Sequence, residues 1–196
     1  KSIRSKVKEA INNGASDIIE KTNFKIEDDS NCYVSPSILV NVDHTMNYMI
    51  EETLNKQKNI QVIARDFINA KGTMYLGRGY SYPIAMEGAL KLKELSYIHA
   101  EGYAAGEMKH GPLALIEDGM PVVVLAPKDR FFEKTISNMQ EVIARGAKVL
   151  LITNKSKDEI HSENIWETIE VENLSEDLFP FLTTIPLQKL AYYSAM

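Results

Sequence analysis

TMYLGRGYSYPIAMEGALKLKEL, residues 73–95, is the stretch that decides the fold. Its first four residues, 73–76, form a short β-prone apolar run, which is typical of a buried strand. Gly77-Arg78-Gly79 then predict a tight turn, and Ser81 and Pro83 are residues that commonly begin a helix. The stretch therefore predicts a strand, a glycine turn and a helix, the unit from which parallel α/β sheets are built.

The glycine turn is a candidate ligand site. In open α/β sheets such turns lie at the carboxyl ends of the strands, where ligands bind. The helix that follows would present free N–H groups and the positive end of its dipole to an anion. We therefore expect Gly77, Arg78, Gly79 and Ser81 to contact a phosphorylated ligand.

The predicted helix carries three charged residues on one stripe. At about 100° per residue, Glu87, Lys91 and Glu94 fall within an arc of roughly 60°. Small residues such as Gly88 would let the helix pack closely against a sheet, so that the stripe could face a cleft. A carboxylate near a lysine in such a cleft is a candidate general base, because its surroundings tune its pKa. The alternative is an ordinary ion pair on a solvated helix face.

A further candidate is His110, which lies in AAGEMKHGP, residues 104–112. Gly111 and Pro112 prevent this segment from forming one continuous helix, so the histidine lies at a break. Histidine titrates near neutral pH, and loops at such breaks often carry function. A surface or capping histidine is the alternative interpretation.

These residues resemble a known family. The run LGRGYSYPIAMEGALKLKELSYIHAEGYAAGEMKHGPLALI, residues 76–116, is similar to the isomerase part of the glutamine-fructose-6-phosphate aminotransferases, also called glucosamine-6-phosphate synthases. The KLKE and KHGPLAL segments are its specific motifs, and a looser similarity extends over residues 40–193. The resemblance implies a sugar isomerase (SIS) domain, an α/β fold in which helices form layers on both faces of a flavodoxin-like parallel sheet.

The resemblance also implies roles for particular residues. Glu94 matches the glutamate that moves a proton between C1 and C2 of the sugar, and Lys91 and Glu87 match polar residues that support its helix. We expect Lys91 to take part in catalysis and Glu87 to contact the substrate. His110 matches a histidine associated with sugar-ring opening, which reaches the active site of a neighbouring subunit. The implied reaction converts fructose 6-phosphate and ammonia into glucosamine 6-phosphate in a homodimer, without a metal or an organic cofactor.

Two parts of the family pattern are not found in this sequence. The family continues past the region that matches residues 187–193 into a tail whose lysine forms an imine with the ketose. It also has a glutaminase domain and a first SIS domain, whose serine and threonine loops largely hold the sugar phosphate. We expect a full-length protein to supply these parts. The alternative function is a non-catalytic module that binds a sugar phosphate.

Composition and charge limit the other functions. The chain has 196 residues, a net charge of −5 and 44% hydrophobic residues. Dispersed lysines and arginines argue against nucleic acid as a partner, and the sequence has no apolar run long enough to span a membrane. One cysteine, Cys32, fits a reducing cytoplasm. We expect residues 1–38 to be a helical and loop segment and residues 39–196 to be the SIS domain.

Hydrophobic periodicity predicts the remaining elements. Within residues 1–21 we expect two short helices separated by a turn at residues 12–14. The further predicted helices are residues 39–55, 60–69, 131–145 and 180–195, and the further predicted strands are residues 121–127, 148–153 and 166–171. Alternation of strands and helices with short links predicts a doubly wound sheet. The order of the strands does not follow from the pattern and depends on the resemblance.

Overall fold

Parallel strands form the central sheet of the computed structural model, which describes residues 16–17, 39–40, 59–160, 162–173 and 179–196. The chain divides into two compact units, Lys1–Glu52 and Thr53–Met196, and the predicted boundary at residues 38–39 falls inside the first. The sheet belongs to the second unit. Its five strands, counted over the described residues, are β1 Thr73–Gly77, β2 Ala100–Ala104, β3 Pro121–Leu125, β4 Lys148–Thr153 and β5 Glu167–Glu170.

The strand order is β2-β1-β3-β4-β5, and every neighbouring pair is parallel. This is the flavodoxin-like order, in which the chain changes direction across the sheet between its first and third strands. The predicted fold class is therefore confirmed. The edge strand β2 was not predicted, because its sequence AEGYA contains neither an apolar run nor a clear alternation. An edge strand that is half-exposed along most of its length needs neither.

Helices cover both faces of the sheet. The helices of this unit are α1 Ile60–Ile68, α2 Ser81–Ser96, α3 Phe132–Ile143 and α4 Phe179–Ser194. Alternate strand residues such as Tyr75 and Val123 pack with α1, α2 and α4, whereas Leu76 and Val124 pack with α3 on the opposite face. The three-layer arrangement explains why β3 is apolar throughout, as expected for a strand that is covered on both sides.

The ends of most elements were predicted to within two residues. The predictions for residues 60–69, 121–127, 131–145, 148–153, 166–171 and 180–195 correspond to α1, β3, α3, β4, β5 and α4. No helix of the described residues is long and apolar enough to cross a lipid bilayer.

The rotation of α2 about its axis is set by close packing. The buried face of α2 consists of Ser81, Ala85, Gly88, Ala89 and Leu92. A Cβ atom at Gly88 would lie 2.9 Å from Cδ1 of Leu187 on α4 and 3.0 Å from Cε1 of Tyr75 on β1. Because Gly88 lets α2 pack this closely against α4 and β1, this face of the helix points inward. The charged stripe consequently lies beside this buried face, where its side chains are partly exposed to solvent.

The first unit is described at two short strands. Ser16–Asp17 and Leu39–Val40 pair antiparallel. The helix predicted for residues 39–55 is therefore wrong for its first two residues, and the helical prediction around residues 16–17 is wrong as well. Periodicity within one segment does not reveal a pairing with a segment more than twenty residues away. The other predictions for residues 1–58 lie outside the described residues.

Candidate functional site

The charged stripe forms a connected cluster on α2. The Lys91 ammonium donates a hydrogen bond of 2.7 Å to Oε2 of Glu94 and lies 3.7 Å from Oε1 of Glu87. The hydrogen bond to Glu94 raises the pKa of Lys91 above its ordinary value; partial desolvation opposes this effect, and attraction to the two carboxylates adds to it. A protonated lysine is thus held between two carboxylates.

The stripe is open to solvent in this unit. The exposed fractions of the side chains are 31% for Lys91, 42% for Glu87 and 50% for Glu94. The cleft that we expected over the stripe is not formed by the described residues of this domain, because the neighbouring elements pack on the opposite side of α2. A substrate at Glu94 would therefore need further contacts from another domain or another subunit.

The glycine corner between β1 and α2 uses its own hydrogen-bonding groups. The backbone N–H of Ser81 bonds to the carbonyl of Arg78 at 3.1 Å, and that of Tyr82 bonds to the carbonyl of Gly79 at 3.2 Å. The next residue, Pro83, has no N–H group. The prediction of free N–H groups for an anion is therefore wrong at these three positions, since a tight turn satisfies two of them and proline removes the third.

Side chains also fill the space around the corner. A Cβ atom at Gly79 would lie 2.9 Å from Cε2 of Phe131, which follows β3. Arg78 turns toward α3, where its Nη1 donates to Oδ1 of Asn138 at 3.1 Å. Ser81 is buried. The structure thus brings Gly77, Arg78, Gly79 and Ser81 together in a corner where Gly77 and Ser81 are buried, Arg78 is half-buried and Gly79 is exposed.

His110 ends the 3₁₀ helix Ala105–His110, which follows β2. Its side chain is exposed, whereas Met108 within the same helix is fully buried under α3. Lys109 forms an ion pair of 2.8 Å with Glu141 of α3. Gly111 has φ +144°, a conformation that residues with a side chain rarely adopt, and the chain turns there into Pro112. The predicted break after His110 is confirmed.

The stripe and the histidine lie toward opposite ends of the strands, Glu94 near their beginnings and His110 near their carboxyl ends. The helix α2 begins at the carboxyl end of β1 and returns to the beginning of β2, so Glu94 is about 20 Å along the helix from Ser81. His110 instead follows the carboxyl end of β2. One sugar phosphate therefore cannot contact Glu94 together with the glycine corner or His110 of the same chain.

An open pocket lies elsewhere in the unit. It has a volume of about 440 Å³ and is lined by Phe132, Glu133, Ile136, Lys155, Asp158 and Glu159. The Lys155 ammonium is 3.9 Å from the centre of the Phe132 ring and 3.8 Å from Glu133. Three carboxylates against one ammonium disfavour a phosphorylated ligand. None of the predicted site residues lines this pocket.

Two residues of α3 were missed by sequence reasoning. Asn138 accepts the hydrogen bond from Arg78, and Glu141 accepts the ion pair from Lys109. Asn138 is buried and falls on the apolar side of α3, between Thr135 and Val142. A polar residue at a position where the helical period calls for an apolar one is the signal that could have identified it.

Fold and stripe together define a doubly wound α/β domain with a carboxylate and lysine cluster on a flanking helix. The chain belongs to the SIS domain family, whose family model matches residues 66–196. In the described part of the chain, no group of three or more His, Cys, Asp and Glu residues is arranged to hold a metal ion.

Relatives of the same kind are identical to this chain at about half of the aligned positions. The glutamine-fructose-6-phosphate aminotransferase [isomerizing] of Bartonella quintana is 53% identical over 148 residues, which are 76% of this chain and 24% of that protein. The corresponding protein of Agrobacterium fabrum is 54% identical over 140 residues, 71% of this chain and 23% of that protein. The chain thus spans about a quarter of the length of these relatives, and the resemblance stated from the sequence is confirmed.

Solved structures agree with this assignment. The C-terminal domain of glucosamine-fructose-6-phosphate aminotransferase from Francisella tularensis is 44% identical, with a TM-score of 0.73 over 77% of this chain and 42% of that chain. Tagatose-6-phosphate ketose/aldose isomerase from Escherichia coli has a TM-score of 0.63 over 78% of this chain and 43% of that chain, at 20% identity. This second similarity shows the shared fold alone.

Proposed function

We propose that this domain forms part of the isomerase half of a glutamine-fructose-6-phosphate aminotransferase, which converts fructose 6-phosphate and ammonia into glucosamine 6-phosphate. The observation that carries the proposal is the Lys91–Glu94 hydrogen bond of 2.7 Å on the open margin of α2. The proposal is supported by identity with proteins of that name at about half of the aligned positions.

The chemistry needs one group that moves a proton between adjacent carbons. Ammonia replaces the oxygen at C2 of the keto sugar and releases water. Glu94 then removes a proton from C1 and returns a proton to C2, while the C1 hydroxyl releases its proton and the imine nitrogen gains one, which leaves an aldehyde at C1 and an amino group at C2. A positioned carboxylate contributes about 10²–10⁴-fold to such a transfer. Lys91 holds one carboxylate oxygen in place, and Glu87 holds the other side of Lys91.

The remaining contacts with the substrate come from a second subunit and from another domain of the longer polypeptide. Because Glu94 and His110 lie toward opposite ends of the strands, His110 acts on a sugar that is bound at Glu94 of another subunit. We therefore propose a homodimer in which each site combines Glu94 of one chain with His110 of its partner. A further domain of the longer polypeptide supplies the phosphate contacts.

We place the protein in the cytoplasm, because a chain with a single cysteine fits a reducing compartment.

The test replaces the matching stretch of the Bartonella quintana relative with the aligned stretch of this chain. The unsubstituted chimera is expected to form glucosamine 6-phosphate and to exchange solvent deuterium into fructose 6-phosphate. Glu94→Gln is expected to lower the exchange rate by about 10²–10⁴-fold with little change in sugar affinity. Glu117→Gln, at a carboxylate that is 70% exposed, is the matched control.

Two results would contradict the proposal. The first is a chimera that binds fructose 6-phosphate without forming product, which would favour a non-catalytic sugar-phosphate module. The second is exchange by the Glu94→Gln chimera at the rate of the unsubstituted one, which would remove Glu94 as the base.

A further inference from the structure

We propose that Arg78 is a positioning residue: its guanidinium braces the 3₁₀ helix Ala105–His110 against α3 and so fixes the place of His110. This inference rests on the proposed function, in which His110 assists the opening of the sugar ring. The arginine of a glycine-rich corner would ordinarily be expected to bind an anion. Its contacts in this domain are with protein groups.

The guanidinium of Arg78 lies between two elements. On one side, Nη1 donates a hydrogen bond of 3.1 Å to Oδ1 of Asn138, a residue of α3 that is 8% exposed. On the other side it lies against the backbone of Gly106, where a Cβ atom would be 2.8 Å from Nη2 and 3.2 Å from Cζ. A planar guanidinium can use both faces and edges in this way. Arg78 thus bridges α3 and the beginning of the 3₁₀ helix.

Two further contacts attach the same 3₁₀ helix to the same side of α3. Met108 is fully buried in the core beside α3, and Lys109 pairs with Glu141 at 2.8 Å. Asn138 and Glu141 are three residues apart, so they share a face of α3. Contacts at residues 106, 108 and 109 thus attach the 3₁₀ helix to α3. The exposed side chain of His110 follows directly after them.

The attachment of a short 3₁₀ helix matters because such helices have weaker internal hydrogen bonds than α-helices. A histidine that must reach a sugar in another subunit needs a fixed backbone, since a misplacement of about 1 Å can cost on the order of 100-fold in rate. Without Arg78, the first half of the 3₁₀ helix loses the guanidinium that packs between Gly106 and Asn138 of α3. His110 would then be displaced, whereas Glu94, near the opposite ends of the strands, would stay in place.

The experiment compares two substrates in the chimera described above. Fructose 6-phosphate must open its ring, whereas its 5-deoxy analogue lacks the hydroxyl that closes the ring and is always open. Arg78→Met is expected to lower kcat on fructose 6-phosphate by about 10–100-fold, with KM changed less than about twofold. On the 5-deoxy analogue the variant is expected to match the unsubstituted chimera.

The comparison variants separate this inference from the proposed function. His110→Ala is expected to show the same substrate dependence, and adding Arg78→Met to it should cause no further loss. Glu94→Gln is expected to be slow on both substrates. Arg145→Met, at an exposed arginine of the turn after α3, is the matched control and should leave both rates unchanged. A fast Glu94→Gln chimera would overturn the proposed base alone.

A second measurement does not depend on activity. Hydrogen exchange of the peptide that covers residues 105–110 should become faster in Arg78→Met, and also in Asn138→Leu, which keeps the arginine and removes its acceptor. Unchanged exchange in both variants would overturn the inference. So would a rise in KM without a fall in kcat, which would indicate a phosphate contact, or an equal loss on both substrates.

Discussion

The two ends of helix α2 differ both in sequence and in the space that surrounds them. At its beginning, the glycine corner has the appearance of an anion site, yet the ring of Phe131 packs on one side of Gly79 and the turn uses the first N–H groups itself. At its end, Lys91 and Glu94 form an ion pair of 2.7 Å, and the described protein atoms leave both side chains accessible to solvent. Glycines allow a ligand or a neighbouring chain atom to approach, and only the space around them decides which.

The largest expected effect concerns the open end of α2. If each site takes Glu94 from one chain and His110 from its partner, Glu94→Gln and His110→Ala chimeras are each nearly inactive alone. Mixing and reassociating equal amounts gives heterodimers for half of the molecules, and each heterodimer contains one intact site. Activity is expected to rise to about a quarter of that of the unsubstituted enzyme. The measurement is the rate of glucosamine 6-phosphate formation before and after mixing.

A mixture as inactive as its components, in which mass spectrometry shows heterodimers, would contradict the shared site. The control is a mixture of two Glu94→Gln preparations, which carry no intact site in any combination. That mixture should remain inactive after the same treatment.

The next effect concerns the packed end. A Cβ atom at Gly77 would clash with the carbonyl of Ser81 and lie 2.7 Å from the backbone nitrogen of Tyr82, so Gly77→Ala must displace the first turn of α2. Overpacking against backbone is expected to cost about 3 kcal/mol in the free energy of unfolding. Urea unfolding followed by circular dichroism would measure this loss.

The matched control is Gly119→Ala. Gly119 has φ +76° and open space where its Cβ would be, so it reports backbone strain without a clash. That substitution is expected to cost about 1 kcal/mol. Equal losses at the two positions would mean that the corner has room to spare, and a ligand at Gly77 would again become plausible.

Much of this architecture could be read from the sequence, because strands buried on both faces and amphipathic helices leave local patterns. The run PVVVL of β3 and the turn after residue 76 are examples. What could not be read depends on contacts between distant segments. Arg78 meets Asn138 sixty residues later, and Leu39–Val40 pairs with Ser16–Asp17. No period within a single segment encodes such contacts.

The candidate site was predicted unevenly for the same reason. The stripe of Glu87, Lys91 and Glu94 follows from helical spacing alone, and the structure brings the three charges together. The corner was predicted from a motif that has two physical meanings. The side chain that distinguishes them, Phe131, comes from the loop after β3 and is invisible to any argument confined to residues 73–95.

The smallest expected effect lies within the stripe itself. Glu94 raises the pKa of Lys91 in the folded protein, so the pair stabilises the fold fully below the ordinary lysine value of 10.5. This stabilisation is lost as the pH rises through the raised value, because the lysine then loses its proton. Lys91→Met should therefore lower the urea midpoint slightly at pH 8, and this difference should shrink as the pH rises above 10.5. Lys93→Met, at an exposed lysine of the same helix, is the control, and the same pH dependence in both variants would show that the contact with Glu94 does not contribute to stability.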